Sequence, residues 1–416
     1  MTIATRSGKG ALCALAFLGF GIAAPTPNSP EAAENGVLIG PSGVEVLPSF
    51  RNKFPAADFN RPVTEPYWQT EIIGKADDSV KKTLDAMANA SFIAFEPEFY
   101  QVLGISDYSQ EKEVEPIFEF PRALLGLTVL FMMAACMRQS VTASLLPSCT
   151  LPRRGFSMQF LPWVWRTSLN GSTPVTEKVY PNPPLTIANG AHYFNGSVYW
   201  AQEGNYTTPG GIVRMNPITL QTEVVLNNFM GHRFNSPNDV VITKSGVAYF
   251  TDGYYGFANF NDTIKPELAN GVYRWDMAAG RVRMVAGAGT GLFINPNGVA
   301  LDATDDILYV TARGFTSADA DGNRNIYKFS RSDEQGMLSP PQLLTYADAG
   351  FPDGVKVDAN GRIYGGVAGA VDVWSKDGTL LGKIKVMADD TAVNMAWVGK
   401  WLYIFGRSRI YRVLLT

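Results

Sequence analysis

The sequence predicts an all-β fold: a six-bladed β-propeller with an irregular N-terminal arm and a disrupted first blade. The first observation is a repeated hairpin. The stretch SPNDVVITKSGVAYFTDG at residues 236–253 recurs in plan as ANGAHYFNGSVYWAQEG from Ala188, NPNGVALDATDDILYVTARG from Asn295, FPDGVKVDANGRIYGGVAG from Phe351 and TAVNMAWVGKWLYIFGR from Thr391. Each copy places Asn or Asp after a short turn, then alternating apolar residues, a Gly turn and an aromatic-rich returning strand. The second observation is spacing. The lead residues Asn189, Asn238, Asn297, Asp353 and Asn394 stand 49, 59, 56 and 41 positions apart, and strand repeats of about 40–50 residues mark propeller blades. The third is composition, with 40 Gly, 17 Tyr and 24 Phe in 416 residues, as many short strands joined by turns require.

The balance of charge narrows the partners. A hydrophobic share of 46% excludes a disordered chain, and a net charge of -3 without any Lys/Arg run leaves no footprint for nucleic acid. A small-molecule substrate is the partner this leaves.

Taken in order, residues 1–24 read as a secretory signal, with Arg6 and Lys9 ahead of an apolar run from Ala11 to Ala24 that is too short for a stable membrane span. Sequons at Asn89, Asn170, Asn195, Asn205 and Asn261 agree with a secretory route and a glycoprotein. Cys13 leaves with the signal, and Cys136 and Cys149 remain as a candidate disulfide.

Residues 25–65 form the irregular arm, and the propeller is expected over residues 66–416. WQTEII reads as a strand, DDSVKKTLDAMANA as a helix and SFIAFEPEFYQVLG as strand-like with a turn. One of these is expected to complete the last blade and remove its open edge. Residues 122–167 lose both the alternation and the hairpin plan. A transmembrane helix, a buried capping helix, and misframed sequence standing where a blade's inner hairpin is due are the three readings. From Asn189 the repeats run to the C-terminus, and a sixth blade is expected to begin near Glu119.

NSPNDVVITKSGVAYFTDGYYG, NPNGVALDATDDILYVT and PDGVKVDANGRIYGG together resemble the regucalcin, gluconolactonase and fungal lactonohydrolase family of six-bladed propellers. The likeness covers residues from about 188 to the end and is nearest the fungal branch, where GNYTTPGGIVRMNP and HRFNSPNDV also fit. It implies a divalent cation, calcium first, held in the channel by Glu119, Asn238, Asn297 and Asp353. Such an oxygen-only set suits a hard cation, which polarises a lactone carbonyl while Asp353 acts as base. Asn189, Arg233, Tyr254 and Tyr255 are the candidate substrate-binding residues.

Each has a plainer reading. Asn or Asp before Gly also suits a tight turn, Arg233 an exposed loop, and the two tyrosines core packing. His192 and His232 have no zinc spacing. The chain departs from the family where many members carry Asp, reading TARG with Ala312 and Arg313. A lactone hydrolase of the secretory pathway is therefore weighed against a metal-independent cyclase or pericyclase of the hetero-Diels–Alderase type in fungal tropolone-sesquiterpenoid metabolism, and against a non-catalytic ligand-binding propeller.

Overall fold

The computed structural model describes residues 37–54, 58–73, 78–121, 128–133, 142–146, 163–169, 173–260, 263–287, 294–314, 323–332 and 336–416. The signal expected at residues 1–24, the sequons at Asn170 and Asn261, Cys136, Cys149 and most of residues 122–167 lie outside them.

The repeated hairpins are antiparallel meanders. One runs Ala188–Phe194, Ser197–Gln202, Gly211–Met215 and Thr222–Leu226, and the next Pro237–Ile242, Val247–Asp252, Gly271–Asp276 and Arg281–Gly287. Asn295–Leu301, Ile307–Arg313, Asn325–Ser332 and Gln342–Tyr346 follow, then Val355–Val357, Ile363–Val367, Ala370–Trp374 and Leu380–Lys385. The C-terminal sheet has Ala392–Val398, Trp401–Gly406 and Arg409–Leu414. Turn chemistry sets the registers. Asn195 and Gly196, at φ 45° and 81°, join Phe194 to its partner Ser197, the left-handed pair that a two-residue hairpin needs.

The first strands of these meanders neighbour one another in chain order, and Thr142–Leu146 lies between the last and the first. The arrangement is propeller-like. Because each sheet is sandwiched between two others, its inner strands are buried on both faces: all of Pro237–Ile242 is buried, and Val247–Asp252 is buried beyond its first residue. The alternation read from the sequence is thus filled in by neighbours on the second face. Between the first two meanders Phe250 stacks on Tyr273 at 5.3 Å while Phe234 meets both edge-on; a buried aromatic of this kind contributes about 2–3 kcal/mol.

Closure comes from an unforeseen strand. Glu115–Glu119 pairs with Arg409–Leu414 and supplies the fourth strand of the C-terminal sheet. The strand within SFIAFE, Phe92–Ala94, instead extends the preceding sheet beside Leu380–Lys385, with the hairpin of Val37–Ile39 and Gly43–Val46 beyond it. DDSVKKTLDAMANA is helical over Asp78–Asn89, whereas the second half of SFIAFEPEFYQVLG is the helix Glu98–Leu103. Within residues 122–167 the described strands are Thr128–Met133, Thr142–Leu146 and Val164, the start of Val164–Ser168, onward, with the first and third of them parallel. Neither a spanning nor a capping helix occurs among the described residues there.

Candidate functional site

Asn189, Asn238, Asn297 and Asn394 each sit near the start of an inner strand, within or beside an irregularity in pairing that lies between Ala188 and Ala191, Pro237 and Val240, Pro296 and Val299, and Ala392 and Asn394. A bulge re-aims the side chain it carries. Asp353 takes the corresponding place two residues ahead of Val355–Val357. The four amides are buried and Asp353 is half-buried.

The glycines that follow decide between the turn and the site. Gly190, Gly298 and Gly354 are absent from the positive-φ backbone positions, so the turn argument does not account for them. Space does. A Cβ on Gly190 would lie 2.0 Å from Asp239 Oδ1, and one on Gly354 would lie 2.1 Å from the Asn394 side chain. The channel behind the lead residues is filled by these polar groups. The Asn394 amide donates to the Asp239 carboxylate, and Lys356 Nζ stands 4.0 Å from Asp239 Oδ2. Burial raises Asp239 and lowers Lys356 from their ordinary pKa values.

Threonines lock the ring together. Thr251 accepts the Asp239 N–H in its own sheet and donates to the Asn297 carbonyl in the next, and Thr311 accepts from Gly298 N and donates to the Asp353 carbonyl at 2.7 Å. Ahead of two of the lead residues, Asn189 and Asn238, a side chain on the second strand clamps the entering loop. Gln202 Oε1 accepts from Thr186 N at 2.7 Å, and the Asp252 carboxylate accepts from Asn235 N and Ser236 N at 3.0 and 2.8 Å. Buried, Asp252 is pushed up to about 7. Ala312 occupies this place in the third meander and packs between sheets with Val241 and Tyr249, so the mouth gains no apolar character from it.

One position further on, the second strands deliver the mouth's charged groups. Glu203 follows Ser197–Gln202, Arg313 ends Ile307–Arg313 and Arg407 follows Trp401–Gly406. Glu203 is buried and accepts from Asn189 Nδ2 at 2.7 Å. Asp353 feels Arg313 and Arg407, accepts a hydrogen bond from the Asn297 side chain, and is nevertheless pushed up to about 6 because desolvation exceeds those effects. Tyr255 is buried, donates to the Pro296 carbonyl at 3.1 Å and lies 5.6 Å from the Arg313 guanidinium.

Asn189, Asn238, Asn297, Asp353 and Tyr255 therefore belong to one end of the channel. Glu119 does not. It ends the outermost strand of the C-terminal sheet, is 57% exposed and pairs with Arg409 at 3.2 Å. Three strand spacings, about 14 Å, separate that strand from the inner one. Glu203 is a buried carboxylate in contact with a lead residue, and sequence reasoning missed it. Its signal was register: YWAQEG and TARG end at equivalent heights.

Tyr254 fixes the turn through its N–H to Asn295 Oδ1 at 2.9 Å. Arg233 reaches the Tyr206 carbonyl at 3.3 Å and borders a small crevice with Glu203 and Asn205. Asn89 and Asn195 are exposed, and Asn205 is half-buried with its Oδ1 accepting from Thr207 and Thr208. His232 faces Glu267 at the surface. His192 lines a separate cavity of about 720 Å³ at the far ends of the inner strands, where burial and Lys356 push it down to about 4.

No cluster of three or more carboxylate, imidazole or thiolate groups able to hold a metal occurs among the described residues. The ring's donors are chiefly amide oxygens. Asn189, Glu203, Asn238, Asn297 and Asp353 carry side-chain oxygens, the donor type that could hold a hard cation.

The profile of the SMP-30/Gluconolactonase/LRE-like region matches residues 180–405. Lactonohydrolase oryL of Aspergillus oryzae is 27% identical over 59% of this chain and 61% of its own length. The gluconolactonase of Zymomonas mobilis is 33% identical over 53% of this chain and 60% of its own. The chain thus spans about three fifths of these relatives. Among solved structures, a candidate gluconolactonase superposes with a TM-score of 0.55 at 19% identity, covering 78% of this chain and 97% of that one. A luciferin-regenerating enzyme gives 0.50 at 16% identity, over 73% and 95%. At such identities they speak to the fold.

Proposed function

This chain belongs to the SMP-30/gluconolactonase/LRE-like family, and from that premise we propose that it hydrolyses lactones at the mouth of a six-bladed propeller, with Asp353 as general base. The observation that carries this reading is the convergence of Asn189, Glu203, Asn297 and Asp353 at one channel end, with Asp353 pushed up to about 6. The inner strands succeeding one another around the channel support six blades, and the relatives' names support a lactone as the substrate class.

A carboxylate of that basicity is ionised at neutral pH and still takes a proton readily. Asp353 accepts the proton of a water as its oxygen adds to the lactone carbonyl carbon. The ring C–O bond then breaks, the departing alkoxide takes a proton back, and a hydroxy acid leaves. The Asn297 amide keeps the Asp353 carboxylate oriented, while Asn189 does the same for Glu203. Asn189, Glu203, Asn238, Asn297 and Asp353 are the residues that would hold a divalent cation such as Ca²⁺. When bound, the ion polarises the lactone carbonyl and acidifies water.

The secretory route is part of the same proposal, supported by the leader pattern of residues 1–24 and by exposed sequons at Asn89 and Asn195. A pH-stat assay of lactone opening, with EDTA and then with excess Ca²⁺, tests the function. Opening that EDTA abolishes and Ca²⁺ restores is the expected result. Undiminished opening in chelator removes the cation, and no opening of any γ- or δ-lactone removes the hydrolase.

A further inference from the structure

We propose that the mouth takes a lactone bearing a second, anionic group, a free carboxylate, and that Arg313 and Arg407 are the pair that grips it. This rests on the lactone-opening reading of the site and names the substrate class within it. Both arginines stand at the mouth end of a second strand, and both act electrostatically on Asp353. Yet neither closes on that carboxylate. Among the described residues Arg313 and Arg407 make no ion pair, and the Nε of each is buried without an acceptor.

Several other arginines of the sheets are paired, and Arg274, whose Nε is likewise buried without an acceptor, lies on the third strand of its meander and not at the mouth end of a second strand. Arg409 is paired with Asp389 and Glu119, Arg412 with Glu115, and Arg362 with Glu98 and Asp358. A guanidinium presents five donors, and burying one unmatched is costly, so a buried donor without a partner marks a place where an acceptor belongs.

The position of Arg313 is fixed in advance of binding. Its guanidinium carbon lies 3.9 Å from the Phe351 ring centroid and 5.6 Å from that of Tyr255. Stacked between two rings, the planar fork loses little freedom when it engages a planar two-oxygen group, and a carboxylate has that shape. Arg407 supplies the second cation. A neutral sugar lactone has no group that uses both charges. The reacting carbonyl would face Asp353 while the remote carboxylate lies against the arginines.

The probes are 5-oxotetrahydrofuran-2-carboxylate, a γ-lactone with one free carboxylate, and its carboxamide. Titration calorimetry of the full-length protein is expected to give the carboxylate about tenfold or greater advantage, as charge-assisted hydrogen bonds provide. That advantage disappears in Arg313→Gln and in Arg407→Gln and partly survives in Arg313→Lys. Thermal unfolding checks that each variant is folded, and the two sites serve independently should one variant fail. Equal binding of both probes by the wild type, including none of either, overturns the assignment. So does an advantage that persists in both Gln variants. Turnover is followed in parallel: arginine-dependent binding without ring opening defeats the hydrolase reading alone, and opening without preference defeats the arginine assignment alone.

Discussion

Asn189 and Glu203 meet at the head of the channel, where the Asn189 amide donates to Glu203 Oε1 across 2.7 Å. The bond joins the first residue of the ring to the carboxylate that closes the paired strand. Glu203→Gln is expected to lower kcat/KM for lactone opening by about 10²–10³ if the carboxylate stabilises charge in the reaction. Glu119→Gln, at an exposed pair with Arg409, is expected to leave activity intact and to change stability by less than about 1 kcal/mol. Comparable losses in both variants would sink the reassignment.

Asp353, pushed up to about 6, gives the rate its acid limb. As a base it works only when ionised, so kcat/KM should rise with pH along an acid limb and level off above it, and a cation held by Asp353 should carry that limb below pH 6. Asp353→Asn should remove both the limb and roughly 10²–10⁴ of the rate. A residual limb at the same pH in the variant would assign the titration to another group.

Asp252 carries a different pH signature, one of stability. Burial holds its folded-state pKa at about 7, above the ordinary aspartate value of about 3.9. The stabilising contribution of its protonated form is therefore complete below about pH 4 and lost as pH rises to 7, up to about 4 kcal/mol in all. Asp252→Asn cannot ionise. Relative to the wild type it should gain in melting temperature as pH rises from 5 to 8, and a difference that stays constant over that range would refute the account.

Gly354 is a spatial requirement, whereas Gly399 is a conformational one. A methyl group at Gly354 meets the Asn394 side chain at 2.1 Å, but at Gly399, with φ at 60°, it meets nothing within 4 Å. Gly354→Ala should cost about 1–3 kcal/mol by overpacking and also disturb turnover. Gly399→Ala should cost about 1 kcal/mol through the left-handed backbone alone and leave turnover unchanged. Melting curves and pH-stat rates on the two variants separate these cases.

The blade register was legible in the sequence because each lead residue starts a strand whose period and turns are local. Asn189, Asn238, Asn297 and Asp353 could be aligned by eye for that reason. Glu203, Arg313 and Arg407 were not legible in the same way, because each lies at the far end of a hairpin and gains meaning only when second strands are compared with one another. Glu119 was misplaced for a topological reason. EPIFEF looks like the opening of a blade, but its hydrogen-bonding partner is the final strand of the chain. No local pattern records a pairing of that length.

That pairing bears on how the polypeptide is made. Glu119 and Arg409 are 290 residues apart in sequence, so during synthesis at about 5–20 residues per second the strand Glu115–Glu119 emerges some 15–60 s before its partner exists. Through that interval it is an unmatched edge outside the ribosome. A negative charge at each end, Glu115 and Glu119, and Pro116 next to the first discourage other chains from pairing there first. Emergence of Arg409–Leu414 is then the event that covers this edge, and deletion of that strand should yield nascent chains that depend on chaperones.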